Sequence, residues 1–80
     1  CFYQPGCMGC MEQTQINTEV SQSLNITIEE IDAIKNPQYI GEFQLKVTPT
    51  IVILKDGILQ ERFEGVVHTE QLTGAIKKYL

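Results

Sequence analysis

Three cysteines, all within the first ten residues, determine how this chain has to hold itself together. A disulfide-stapled scaffold spreads an even number of cysteines along the chain to close long loops. Nothing after Cys10 can be bridged, so the remainder must be held by an apolar core. At 80 residues the chain is large enough for one such core and too small for two, and it should bury roughly 60% of its unfolded surface. Residues 1–80 therefore read as a single domain, with a first strand cut short at the N-terminus. The apolar content of 42%, with six Gly and three Pro, excludes disordered and fibrous classes. Ten acidic residues against six basic ones give a net charge of −4, which argues against nucleic acid as a partner. The longest apolar run, Ile51–Leu54, is far too short to span a bilayer, and no signal-peptide pattern stands at the start.

Periodicity divides the chain into seven elements. Cys1-Phe2-Tyr3 reads as the tail of a strand that Pro5-Gly6 turns. Met8 to Leu24 reads as a helix, with Ile16, Val20 and Leu24 on one face and Asn25 as its stop. Ile26 to Ile34 reads as a strand. Asn36-Pro37 then opens a short helix, Asn36 as N-cap and Pro37 as first helical residue, that is spent by Leu45. Thr50 to Lys55 is an almost unbroken β-branched and apolar run, expected as a buried central strand. Asp56-Gly57 is a hairpin turn, Ile58 to Phe63 the return strand, and Gly65 the break. Thr69 should cap a last helix with Leu72, Ala75, Ile76, Tyr79 and Leu80 in one stripe. The expected fold is α/β, in the order β-α-β-α-β-β-α, with a four-stranded mixed sheet covered by helices on both faces. Two crossovers should give parallel strands and the hairpin an antiparallel edge.

Cys7-Met8-Gly9-Cys10 falls at the junction of the first strand and the first helix. Bridging two residues three apart closes too small a ring to be a useful staple, so the pair makes more sense as chemistry. Three-residue spacing puts both sulfurs on one helix face. Free N–H groups and the positive end of the helix dipole favour a thiolate at Cys7, which makes Cys7 the nucleophile and Cys10 the resolving thiol. Zinc sites use C-x-x-C as well, and Cys1, Cys7, Cys10 and His68 would complete a Cys₃His set. The fourth of those ligands stands nearly sixty residues away without a companion, which disfavours the metal reading. Pro49 precedes the buried strand, where a proline has no ladder role. Only about 5–6% of X–Pro bonds are cis, so trans is the default for Thr48-Pro49 on the residues alone.

Taken in order, these motifs resemble those of the thioredoxin and glutaredoxin superfamily, and are closer to thioredoxin. Phe2-Tyr3 with the C-x-x-C is similar to that family's strand end and active site. Ile31-Asp32-Ala33 followed by Asn36-Pro37 resembles the segment after its next strand. Val47-Thr48-Pro49-Thr50 is similar to its cis-proline loop, Lys55-Asp56-Gly57 to its hairpin, and Phe63-Glu64-Gly65 to its glycine turn. The resemblance covers nearly the whole chain and implies a thioredoxin fold of glutaredoxin size, with a cis Pro49 beside the cysteines. It implies thiol–disulfide oxidoreduction of protein or small-molecule disulfides by Cys7 and Cys10, with Thr48 and Pro49 binding substrate by strand addition. The departures are Gly6 where thioredoxins carry Trp, and Met8-Gly9 where they carry Gly-Pro, so the redox poise is not carried over. The family's first strand and helix are missing here, together with its buried proton-transferring aspartate. Glu30 stands about where the family has a lysine pointing at that aspartate. On alternation with Ile26 and Ile28 it would face inward beneath Cys10 and accept its proton; the favoured alternative is that the strand twists or ends there and Glu30 is solvated, since a glutamate is almost never buried unpaired. Cys1 reads as a bystander, His68 as a surface or capping residue and Tyr3 as packing.

No nucleotide, flavin or metal motif is visible in the sequence, so no cofactor is expected. Electrons should come from a partner reductase or a low-molecular-weight thiol, and the protein should be a monomer without nucleic-acid or membrane partners. Without a visible export signal the cytoplasm is the default compartment. The competing functions are a noncatalytic binding domain on the same fold and, behind it, the Cys/His metal module.

Overall fold

In the computed structural model, which describes residues 1–80, the chain runs β1 (Phe2–Tyr3), α1 (Met8–Leu24), β2 (Ile31–Asp32), α2 (Gln38–Glu42), β3 (Thr50–Lys55), β4 (Ile58–Glu64) and α3 (Thr69–Lys77). The order of elements is the one read from the sequence. The strands form one mixed sheet, in the spatial order β2-β1-β3-β4.

The first helix starts and stops where its side chains dictate. Cys7 has extended backbone angles, and its sulfur accepts the Cys10 N–H, the place an N-cap oxygen usually fills. Asn25 closes α1 in the left-handed conformation, φ 55°, with its N–H returned to the Ser21 carbonyl. The second strand is much shorter than the expected Ile26–Ile34. It persists only where β1 lies beside it, with the Ile31 and Ala33 N–H groups bonded to the carbonyls of Cys1 and Tyr3 at 2.8 and 2.9 Å. Ile26–Glu30 is irregular, with the Glu29 carbonyl accepting a bond from the Cys1 N-terminus at 2.7 Å. Two helix starts also shift by one residue. Pro37 is the N-cap of α2, because the Asn36 amide reaches back to the Asp32 carbonyl at 3.0 Å. Thr69 is already helical, and His68 precedes it without a side-chain cap bond.

The strand directions correct the expectation of two parallel crossovers. β1 runs parallel to β2 but antiparallel to β3, with Phe2 opposite both Ile31 and Thr50. The reason lies in the connection. α2 has five residues and so spans only about 7.5 Å, too little to carry the chain back along the sheet. Asp32 turns the chain where β2 stops, its carboxylate accepting the N–H groups of Ile34 and Lys35 at 2.8 and 3.2 Å. β3 therefore starts at the end of the sheet where β1 and β2 finish. It leaves through Asp56 and Gly57, both at positive φ (55° and 77°) as a two-residue hairpin of this hand requires, and pairs with β4.

Burial follows the sheet. On one face Ile51 packs with Ile16 and Val20 of α1, Leu72 of α3, and Val67; Cys1 lies at the margin of this cluster. On the other face the Phe2 ring meets Tyr39 and Phe43 at 5.5 and 5.2 Å between centroids. β3 is buried at Thr50 and Ile51, yet exposed by Leu54 and Lys55, so the central-strand burial holds for its first part only. Beyond that point an apolar cleft of about 620 Å³ separates Ile26–Glu29 from β3, at the end of β1 away from Cys7. No helix is long and apolar enough to cross a membrane.

Arg62 on β4 ties down the other end of α2. Its guanidinium donates to the carbonyls of Phe43 and Gln44, the latter at 2.8 Å, and to Glu64 at 3.0 Å. Because the group is partly exposed, Arg62→Ala should cost about 1–2 kcal/mol in urea unfolding. Arg62→Lys should recover less than half of that, since an ammonium cannot span both carbonyls. Equal stability of the lysine variant and the native chain would show that the fork geometry is irrelevant.

Candidate active site

Cys7 and Cys10 are joined as a disulfide, with their Cα atoms 5.2 Å apart. The pair owes its position to two pieces of local structure. Gly6, at φ 79°, turns the chain out of β1, and the first turn of α1 then sets the three-residue spacing. The two sulfurs are unequally exposed: Cys10 is 4% accessible, whereas Cys7 is half-buried at the rim.

Thr48 faces Cys7 from the loop before β3. Its hydroxyl lies 3.5 Å from the Cys7 sulfur and its carbonyl oxygen is at the same distance. With the Cys10 N–H at 3.1 Å, the sulfur has two donors and one acceptor around it. In the disulfide there is no S–H, so only the donors bond. After reduction, both donors and the helix N-terminus favour the Cys7 thiolate, while the Thr48 carbonyl favours the neutral thiol. Two donors and a dipole outweigh one acceptor.

The Thr48–Pro49 peptide bond is cis and Pro49 is buried. Its carbonyl takes the Gly65 N–H at 2.8 Å, which brings the loop before α3 to the same place. Gly9 fits between these loops. A Cβ on it would stand 3.2 Å from Val66 Cγ2 and 3.3 Å from Pro49 Cδ, so the backbone between the cysteines lies directly against both. Met8 and Met11, which follow Cys7 on α1, are 80% and 66% exposed, and the exposed Ile34 and Val47 share a cleft with Thr48. This small cleft, of about 110 Å³, is lined by Gln4, Ile34, Ile40, Leu45 and Val47.

The structure thus brings Cys7, Cys10, Thr48 and Pro49 together. Glu30 is placed differently from the inward position that alternation suggested. The segment before Ile31 is not a strand, and the Glu30 carboxylate is exposed. It accepts a bond from Thr14 Oγ1 at 2.8 Å, and that hydroxyl is also 3.0 Å from the Cys10 carbonyl; neither bond reaches the Cys10 sulfur. His68 is exposed at the surface with Glu12 3.9 Å away, and no three His, Cys, Asp or Glu side chains are grouped to share a metal ion. Two buried residues were missed by the sequence reading. Gln13 and Asn17, at 0% and 2% exposure, face the core from α1. The signal was there: both share the helical face of Ile16, Val20 and Leu24.

A four-stranded mixed sheet, a C-x-x-C at the start of the helix that follows its central strand and a cis proline facing it define the thioredoxin fold. Residues 1–78 match the family model described as Thioredoxin, and the chain belongs to the thioredoxin family. It is 36% identical over 81 residues to the chloroplastic thioredoxin Y2 of Arabidopsis thaliana, covering 99% of this chain and 48% of that protein. It is 30% identical over 81 residues to a thioredoxin-like protein of Synechocystis, covering 99% of this chain and 77% of the relative. The chain thus spans about half the length of the chloroplastic relative. Among solved structures, thioredoxin-2, a component of the malaria parasite protein secretion machinery, superposes with a TM-score of 0.90 at 26% identity, over 96% of this chain and 77% of that one.

Removing the Thr48 hydroxyl takes one donor from the Cys7 sulfur without touching the carbonyl. Reduced Thr48→Val should therefore be alkylated more slowly at Cys7 at neutral pH, by about two- to fivefold, since a contact as long as 3.5 Å is worth no more than an ordinary hydrogen bond of about 1 kcal/mol. Iodoacetamide trapping followed by mass measurement checks this; an unchanged rate would remove Thr48 Oγ1 from the site.

Proposed function

We propose that this chain is a thiol–disulfide oxidoreductase that reduces disulfides in proteins or small molecules through Cys7 and Cys10. The observation that carries this reading is the Cys7–Cys10 disulfide on a helix N-terminus, with the more exposed sulfur facing Thr48. In the reduced protein the Cys7 thiolate attacks one sulfur of a client disulfide. A Cys7–client disulfide forms, the client S–S bond breaks, and the departing thiolate takes a proton from solvent. Cys10, as thiolate, then attacks Cys7 Sγ. The Cys7–Cys10 bond forms and the second client thiolate leaves, so two electrons have passed to the client. The structure corresponds to the oxidised end of this cycle. A reductase or a low-molecular-weight thiol must supply two electrons to restart it.

Client binding is assigned to Thr48 and Pro49. The Thr48 backbone is presented beside Cys7 outside any strand, where an extended segment would pair with it as an added strand. Met8 and Val47 supply apolar surface on either side. We read the protein as a monomer that works where thiols are kept reduced, with the cytoplasm as first assignment; the chloroplast appears among the names of its relatives. A Cys7–Cys10 potential near about −270 mV would support that direction, and one near about −120 mV would reverse it.

For the proton of Cys10 we assign the exposed Glu30 carboxylate, held on α1 by Thr14 Oγ1 and not bonded to the Cys10 sulfur, so that transfer runs through water. On this assignment Glu30→Gln slows resolution of the mixed disulfide. An unchanged resolution rate gives the proton to solvent alone.

The reading as a whole is tested by insulin reduction with dithiothreitol as electron donor. The native chain should accelerate it, Cys7→Ser should abolish the acceleration, and Cys10→Ser should accumulate a stable mixed disulfide with the client. A folded native chain with no acceleration would make this a noncatalytic binding domain of the same fold.

A further inference from the structure

Between α1 and α3 lies a buried side chain that disulfide exchange does not use. Gln13 is shielded from solvent, and its amide meets the Val67 backbone at two points: Oε1 accepts the Val67 N–H at 2.8 Å and Nε2 donates to the Val67 carbonyl at 3.1 Å. A second bond from Nε2 runs to Asn17 Oδ1, one turn along, at 3.0 Å. Asn17 is itself buried, and its Nδ2 has no partner. Two amides with an unmet donor are an unfavourable filling for a helix face that otherwise presents Ile16 and Val20. Apolar side chains there would remove the unmet Asn17 donor but leave the buried Val67 N–H and carbonyl without partners, so the Gln13 amide answers a need of the loop it holds.

That loop, Gly65–Val67, is fixed at one end by the Gly65 N–H on the Pro49 carbonyl, and at the other by Gln13 on Val67. Val66 stands between those ties, its Cγ2 against Gly9, which also borders Pro49. The helix that follows contributes no side-chain cap to this loop. Packing of Val66 and Val67 on the core holds the segment down, and the two-point amide clamp from the helix that carries the C-x-x-C sets its register.

We infer that Gln13 is a positioning residue for protein clients. By fixing Val67 it sets the place of Val66 beside Gly9 and Pro49, and so the shape of the rim that a protein must fit before its disulfide reaches Cys7. This rests on the oxidoreductase reading, and it goes beyond it by separating two kinds of substrate. A small disulfide needs only the sulfur; a protein client also has to cover the rim.

The test compares Gln13→Leu, Gln13→Glu and the double variant Gln13→Leu/Asn17→Leu, in which no side-chain amide is left unpaired, with the native chain. KM for insulin should rise about fivefold or more in both leucine variants, with kcat, the rate on a small aromatic disulfide and the Cys7–Cys10 potential nearly unchanged. In Gln13→Glu the neutral carboxyl both accepts and donates, as the amide does, whereas the carboxylate cannot donate to the Val67 carbonyl. Its KM, taken relative to the native chain at each pH, should therefore be near normal at low pH and rise as the buried carboxyl ionises. Amide exchange gives a readout independent of activity: the Val67 N–H should exchange at least about tenfold faster in Gln13→Leu, with β3 amides unaffected. An unchanged insulin KM in a folded leucine variant overturns the inference, as does an equal loss on both substrates. If the native chain reduces neither substrate, the oxidoreductase reading fails by itself, and Val67 exchange alone decides whether the clamp exists: unchanged exchange overturns it.

Discussion

The sulfur of Cys7 is a structural atom before it is a chemical one. It ends the turn out of β1 and begins α1 by accepting the Cys10 N–H, a bond that a serine or aspartate oxygen makes in most helices. A disulfide sulfur is a weak acceptor and a thiolate a strong one. The cap therefore tightens when the disulfide opens, and the helix dipole adds in the same direction. Whatever stabilises the reduced form relative to the oxidised one raises the potential, so the local fold biases the pair toward accepting electrons. The first turn of α1 and the redox chemistry share one hydrogen bond.

Topology decides that this sulfur has something to face. β1 and β2 are two residues long, and every loop that matters lies at the end of the sheet where they stop. Had α2 been long enough to return the chain for a third parallel strand, Pro49 would enter β3 at the opposite end, near the cleft below Cys1. The single-turn α2 and the Asp32 turn prevent this. The antiparallel entry of β3 delivers Thr48 and Pro49 to Cys7. The return strand then brings Gly65 to the Pro49 carbonyl, so three separated segments meet around one disulfide.

Sequence patterns made the elements legible where they depend on local signals. α1 was bounded by Cys7 and Asn25, the hairpin by Asp56-Gly57 and β3 by its β-branched run, because caps, left-handed turns and buried strands are each written in a few adjacent residues. The C-x-x-C and Pro49 were legible for the same reason. What failed was non-local. β2 pairs with β1 only at Ile31 and Asp32, and alternation along Ile26–Ile34 does not mark where pairing begins. The inward placement of Glu30 rested on the same alternation; the exposed carboxylate agrees with the other reading, in which the strand ends before it. The direction of β3 depended on the length of α2, which Asn36-Pro37 announces at its start and no residue announces at its end.

Gln13 and Asn17 show a different limit. A polarity pattern treats Gln and Asn as solvent-facing, so Gln13 and Asn17 were not counted on the α1 face with Ile16, Val20 and Leu24. Burying them has a structural consequence that an apolar pair would not have. Dispersion contacts are nearly indifferent to a slide of an ångström along a loop, whereas an amide bonded to both the N–H and the carbonyl of one residue fixes register and orientation together. The sheet supplies no such constraint for Val67, which lies outside every strand and precedes a helix without a side-chain cap. Stability and placement meet in Gln13: its amide pairs the buried Val67 N–H and carbonyl that a leucine would leave unpaired, and the same two bonds fix the position of the loop beside Gly9.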